Sequence, residues 1–181
     1  EPLDGTKDFI QKTGDFTVIA GLVENGQVIL GAVYQPAIDK LYYAVKGQGA
    51  FFEHEGQTKQ IHVSELNDLS EFKMLASRNH LQEAEQNSIS NFVKSGSAGL
   101  KACLVAEGKG DIYMNTSDKT YEWDICGASL IVEEAGGKIT DMMGESFVFN
   151  KKDPRNKKGF VVSNGKIHDK IIENRSGLWE F

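Results

Sequence analysis

The chain has 181 residues, a length that suits one domain or two small lobes sharing a core. Hydrophobic residues make up 40% and charged residues 25%, an ordinary globular balance that argues against disorder. A net charge of −6 gives the surface as a whole no attraction for a nucleic-acid polymer or an anionic membrane, so a polyanionic substrate would need metal ions or a local basic pocket.

The first six residues, EPLDGT, place two acids around a proline and follow them with Gly5 and Thr6. From about 15 to 63 the chain is rich in β-branched and aromatic residues, and ENGQ joins two apolar runs as a hairpin signal. Gly47 and Gly49 break the next pair, LYYAV and AFFE, so this region reads as an antiparallel meander. SELNDLSEFKMLASRNH gives a short connection, a strand at about 72–76 and a polar loop, and QEAEQNSISNFVK reads as a helix. AGLKACLVAEGKG, with Leu100, Cys103 and Leu104 in phase and a stop at Gly108, is a second helix. DIYMN is a short strand. WDICGASLIVEEAGG carries Ile125, Ala128, Ile131, Val132 and Ala135 on one face and ends at Gly136-Gly137, the clearest helix in the chain. KITD, SFVF and GFVVS are strand candidates, and KIHDKIIEN is a last helix. The order predicts an α/β (α+β layered) fold: an antiparallel sheet lobe over 1–67, then a mixed α/β lobe over 68–181.

Cys103 and Cys126 each lie in an apolar, helix-like segment, which fits reduced core thiols in a cytoplasmic protein better than a disulfide framework. Apolar runs such as TVIAGLV are far too short for a transmembrane segment, and the acidic start shows no signal peptide.

Glu1, Asp4 and Asp124 are hard oxygen donors of the kind Mg²⁺ prefers. Pro2 stiffens the first stretch, and Gly5 permits a tight turn with exposed N–H groups beside the Thr6 hydroxyl. Asp124 falls at a helix start, where the macrodipole favours negative charge. Taken singly, each stretch reads as structure: acid-Pro-x-Asp-Gly is a common surface turn, and an Asp at a helix start is usually a cap.

Together the two stretches resemble a known family. EPLDGT is similar to the D-P-[IL]-D-G-T motif, and WDICGASLIVEEAGG to the second signature, of the inositol monophosphatase-like, metal-dependent, lithium-sensitive phosphatases. The resemblance covers essentially the whole chain. It implies the fold of that family and a site with two or three Mg²⁺ ions. Glu1 stands at a metal-binding acid, Leu3 at a metal-binding carbonyl, Asp4 at the bridging Asp and Asp124 at the Asp of the W-D pair. Gly5 and Thr6 stand at the phosphate-binding turn, the Thr also orienting the attacking water. The implied reaction is direct phosphomonoester hydrolysis without a covalent intermediate.

ASRNH resembles the [TS]-R-S-H segment of the 3′(2′),5′-bisphosphate nucleotidase branch, which puts Ser77 and His80 at a nucleotide, with Asn79 replacing the usual Ser. GSAGLK resembles a stretch of the same branch that puts Ser97 and Lys101 near the nucleotide phosphate. The expected substrate is therefore adenosine 3′,5′-bisphosphate. Inositol monophosphate or a sugar phosphate is the alternative within the family. Read without the resemblance, His80 is an exposed loop residue and Lys101 a solvated helix face. Trp123 reads as a packing anchor, Glu134 as a helix-surface or capping acid, and 150–159 as a solvated loop.

Two departures stand out. Glu1 replaces the family's Asp and is one methylene longer, which alters reach to an ion that demands tight geometry. The family's N-terminal helices, a metal-ligating Glu and a water-activating Asp lie upstream of the first motif and are absent from these residues. The chain alone is thus expected to be nearly inactive. A remnant that binds phosphate or a partner protein without turnover is the non-enzymatic alternative. A homodimer is expected from the family.

Overall fold

The structure, a computed structural model, describes residues 1–77 and 92–174, apart from the side chains of Ser77 and Phe92. The meander forms as expected. Strands β1 (Val18–Glu24), β2 (Gln27–Gln35), β3 (Lys40–Val45), β4 (Ala50–His54) and β5 (Gln57–Ile61) pair antiparallel in chain order. Asn25 and Gly26 both take positive φ, 50° and 79°, the tight turn whose twist suits a two-residue hairpin. Period-2 alternation sends Lys40, Tyr42 and Ala44 of β3 inward. It leaves Val18, Leu22 and Leu30 exposed on the other face.

The second sheet has the order β7-β6-β8-β10-β9. Strand β6 (Met74–Ser77) runs parallel to β7 (Phe92–Ser95) and to β8 (Ile112–Asn115). Strand β10 (Phe160–Ser163) is antiparallel to β8 and to β9 (Lys138–Thr140).

Between the sheets lie α2 (Ala98–Ala106) and α3 (Glu122–Glu134), which follow the short α1 (Thr6–Gln11). Helix α3 packs on β1 to β4 on one side and on α2 and β9 on the other. That explains why Cys126, Gly127, Ser129 and Leu130 are buried as well as the expected face. One core joins Ile19, Val33 and Tyr42 of the first sheet to Leu75, Tyr113, Phe160 and Val162 of the second through both helices. The alternate residues Met74, Ile112, Met114 and Val161 face the other way, where they pack with Ile167 and Ile171 beside α4 (His168–Glu173).

Two expectations fail here. SFVF is not a strand: 146–149 is irregular, tied to the first hairpin by Phe149 N–H donating to the Gly26 carbonyl at 3.0 Å. The helix expected over 82–94 lies largely outside the described residues, but its end, Phe92–Lys94, belongs to the strand Phe92–Ser95, parallel to β6. Pairing to a buried neighbour overrides local propensity there. Cys103 and Cys126 are both buried free thiols. Among the described residues no helix is long and apolar enough to cross a membrane.

Candidate functional site

Residues 1–4 run antiparallel to the start of β1. Ile19 N–H donates to the Glu1 carbonyl at 2.8 Å, and Asp4 and Thr17 exchange both backbone bonds at 2.9 Å. Leu3, half-buried, lies between these anchor points. Gly5 then turns the chain with φ +86°, and a Cβ there would sit 2.9 Å from the Asp15 carbonyl, so position and conformation both require glycine. Thr6 follows, exposed on the first turn of α1.

The Asp4 carboxylate faces the start of α2. Its Oδ2 accepts from Ser97 Oγ at 2.5 Å and from Gly99 N–H at 3.0 Å. Ser97 caps α2 by accepting from Leu100 N–H at 3.0 Å. With its own hydrogen given to Asp4, Ser97 must accept from Thr17 Oγ1, 2.6 Å away. Thr17 and Ser97 are 0% and 1% exposed, so this chain of hydroxyls lies beneath the surface and fixes how Asp4 points.

Lys101 lies deeper still, 2% exposed. Its Nζ donates to the Gly96 carbonyl and to that of Ser97 at 3.0 Å, and sits 4.8 Å from the Tyr113 ring centre. Burial pulls its pKa down to about 8 against the attraction of Asp4, Asp8 and Asp15. The Asp15 carbonyl accepts from Ser97 N–H at 2.9 Å, and its side chain accepts from Gly96 N–H at 3.3 Å. Asp8 is buried and accepts from Thr13 Oγ1 at 2.9 Å. The loops around 4–17 and 96–101 are thereby one polar unit built around a buried ammonium.

Asp124 comes from the far half of the sequence. Its Oδ2 accepts from Tyr121 N–H at 2.7 Å, closing the first turn of α3. Burial pushes its carboxyl up to about 6, and the charges of Asp4 and Glu1 add to the shift. Three acids from two distant stretches thus share one field, and a hard divalent cation would relieve it. Glu1, Asp4, Asp124 and the Leu3 carbonyl fit such an ion in donor chemistry. They are not a preformed cage: among the described residues no three acidic, histidine or cysteine side chains converge as one.

Other expected residues land differently. Ser97 and Lys101, expected near the nucleotide phosphate, commit their polar atoms to protein partners and lie under the surface. Nor is Lys101 a solvated helix face. Ser77 ends β6 opposite Ser95, its side chain outside the described residues, and His80 lies outside them altogether. Trp123 is no buried anchor: it is 44% exposed and stacks flat on Tyr121, ring centres 4.7 Å apart. Glu134 is more than a surface acid, because its two oxygens accept from Gly47 N–H and Gly49 N–H, each at 2.7 Å. Glu122 binds Asn150 N–H at 2.8 Å and the Lys151 ammonium at 2.7 Å, pinning the start of the 150–159 loop. Within that loop Asp153 pairs with Arg155 and Lys157.

Sequence reasoning missed Asp8, Asp15 and Thr17. The one local signal was their density of polar groups just after the first motif.

The comparisons with known proteins follow the same lines. A sequence model described as the inositol monophosphatase family matches residues 1–180. The chain is 32% identical over 167 residues to a 3′(2′),5′-bisphosphate nucleotidase CysQ of Aggregatibacter actinomycetemcomitans, covering 90% of this chain and 62% of that protein. It is 35% identical over 181 residues to a fructose-1,6-bisphosphatase/inositol-1-monophosphatase of Thermotoga maritima, covering 96% and 65%. The solved Thermotoga maritima IMPase superposes with a TM-score of 0.81 at 32% identity, over 99% of this chain and 68% of that one. CysQ from Bacteroides thetaiotaomicron gives 0.74 at 32% identity, over 91% and 68%. The chain thus spans a little under two thirds of the length of the two sequence relatives. On its matched sequence and its fold, the chain belongs to the inositol monophosphatase family.

Proposed function

We propose that this chain forms part of a Mg²⁺-dependent phosphomonoesterase that removes the 3′(2′)-phosphate from adenosine 3′,5′-bisphosphate. The observation that carries the reading is the meeting of Asp4 and Glu1 with Asp124 in one electrostatic field, beside the half-buried Gly5 and the exposed Thr6. Glu1, Asp4, Asp124 and the Leu3 carbonyl would hold two or three Mg²⁺. Bound there, Mg²⁺ supplies Lewis-acid chemistry, making a water more acidic and offsetting phosphoryl charge.

The remaining work falls to the chain itself. Thr6 orients the attacking water, and the Gly5–Thr6 turn presents N–H groups to the phosphate. Ser97 and Gly99 hold the Asp4 carboxylate in place from behind. Lys101 contributes positive charge beneath the same loop. Ser77 and His80 take the nucleotide side of the substrate. A cytoplasmic homodimer is the form in which we expect this to operate.

The bisphosphate nucleotidase relative supports the choice of substrate. A second reading, inositol or sugar phosphate hydrolysis, draws on the Thermotoga relative, which matches over 181 residues at 35% identity. Rates of the whole protein on adenosine 3′,5′-bisphosphate, inositol 1-phosphate and fructose 1,6-bisphosphate separate the two. The nucleotide is expected to be fastest, and a preference for inositol 1-phosphate overturns the choice.

A further inference from the structure

Helix α3 meets the first sheet backbone to backbone. A Cβ on Gly127 would lie 2.2 Å from the Ala20 carbonyl oxygen and 3.0 Å from that of Ala32. One on Gly31 would lie 2.1 Å from the Gly127 carbonyl oxygen, and one on Gly21 would lie 2.4 Å from Cys126 Sγ. Gly21 and Gly31 are cross-strand partners on β1 and β2. None of the three has a positive φ, so the backbone conformation does not call for glycine there. What the three share is the absence of a side chain where helix and sheet touch.

This contact joins the two elements, α3 and β1, that carry or hold the proposed cation ligands. Gly127 follows Asp124 by three residues, so the two share a helix face. On the sheet side Ala20 follows Ile19, whose N–H holds the Glu1 carbonyl, and Thr17 of the same stretch holds Asp4. The far end of α3 is tied separately, by Glu134 to the turn between β3 and β4. The glycine contact lies in the first half of the helix, apart from that tie.

We propose that Gly127 is a positioning residue: seated on Gly31 and the Ala20 carbonyl, it sets how closely Asp124 approaches Asp4 and Glu1, and with it the cation affinity of the site. The affinity part rests on the function proposed above; the distance part does not. A methyl at 127 forces the helix start to lift by roughly 1 Å to reach an ordinary contact. Mg²⁺ tolerates little error in ligand placement.

The test is Gly127→Ala in the whole protein, read by crystal structure and by Mg²⁺ calorimetry. The Asp124–Asp4 Cα separation should grow by roughly 1 Å, and the Mg²⁺ dissociation constant should rise about tenfold or more. Ile171→Ala, a buried truncation within α4, supplies a stability control and should move neither readout. Gly21→Ala gives a second route, because its methyl meets the Cys126 sulfur first. Gly21→Ala should weaken Mg²⁺ binding, and Gly21→Ala with Cys126→Ala should restore it. An unchanged separation in Gly127→Ala overturns the proposal, as does a larger separation with unchanged affinity. Should Gly127→Ala fail to fold, lack of rescue in the Gly21 pair overturns it. A parent that binds no Mg²⁺ overturns the proposed function, while the separation still decides the positioning.

Discussion

The surroundings of His168 and of Asp124, two titratable groups drawn from water to different depths, are built on opposite principles. Around His168, 0% exposed, every hydrogen finds a partner. Thr140 Oγ1 donates to the Asp141 carbonyl at 2.8 Å and so accepts from His168 Nε2 at 2.9 Å. Ser163 Oγ accepts from Gly165 N–H at 3.1 Å and gives its own hydrogen to Nδ1 at 2.8 Å. That count assigns the neutral Nε2–H tautomer. Around Asp124 the hydrogen bonds are in order, but burial and the like charges of Asp4 and Glu1 work against its ionised form, opposed by the Tyr121 N–H and the Glu1 ammonium. A buried group whose partners are complete holds a fold together. A group of like charges held close marks a place where something of opposite charge belongs.

The comparison breaks if the acid cluster proves structural. In the whole protein, Asp4→Asn should lower Mg²⁺-dependent turnover by roughly 10³-fold, since members of one catalytic unit each remove most of its effect. Asp124→Asn should lower turnover by at least about 10²-fold and yet leave the fold within about 1 kcal/mol of the parent, or more stable, because a like charge is gone. Thermal denaturation beside steady-state kinetics checks both. A large loss of stability in Asp124→Asn would make this acid a helix cap and little more.

The His168 cluster should behave in the reverse way. Burial first, then the Lys138 charge, lowers its pKa from 6.5 to about 4. Between those values the unfolded chain binds the extra proton and the folded chain does not. The stabilisation is therefore complete above about pH 6.5 and is lost as the pH falls through about 4, on the order of 3 kcal/mol in all. Urea unfolding at several pH values measures it. His168→Gln should flatten that slope while turnover at neutral pH stays close to the parent's. The smallest effect is expected at Glu134: Gln keeps one acceptor for Gly47 or Gly49 and turns an NH2 toward the other N–H, which should cost about 1 kcal/mol.

Much of the fold was legible because local chemistry and tertiary structure agree. Asn25-Gly26 between β-branched runs made the hairpin, and the period of WDICGASLIVEEAGG made α3. FVKS was not legible, because its strand depends on pairing with β6, a partner that local sequence does not show. The acids of the site could be listed from the two motifs, but the depth of Ser97 and Lys101 could not. A lysine reads as a surface residue until the carbonyls of Gly96 and Ser97 and the acids near it are placed in space. Asp8 and Asp15 went unnoticed for the same reason: what sets them apart is the buried ammonium they face.

The central claim, that the first stretch and the start of α3 form one cation site, is tested most directly by calorimetry of Mg²⁺ with phosphate on the whole protein and on Asp4→Asn. The account predicts binding by the parent and a loss of about tenfold or more in the variant. A variant that binds both as tightly as the parent would contradict it.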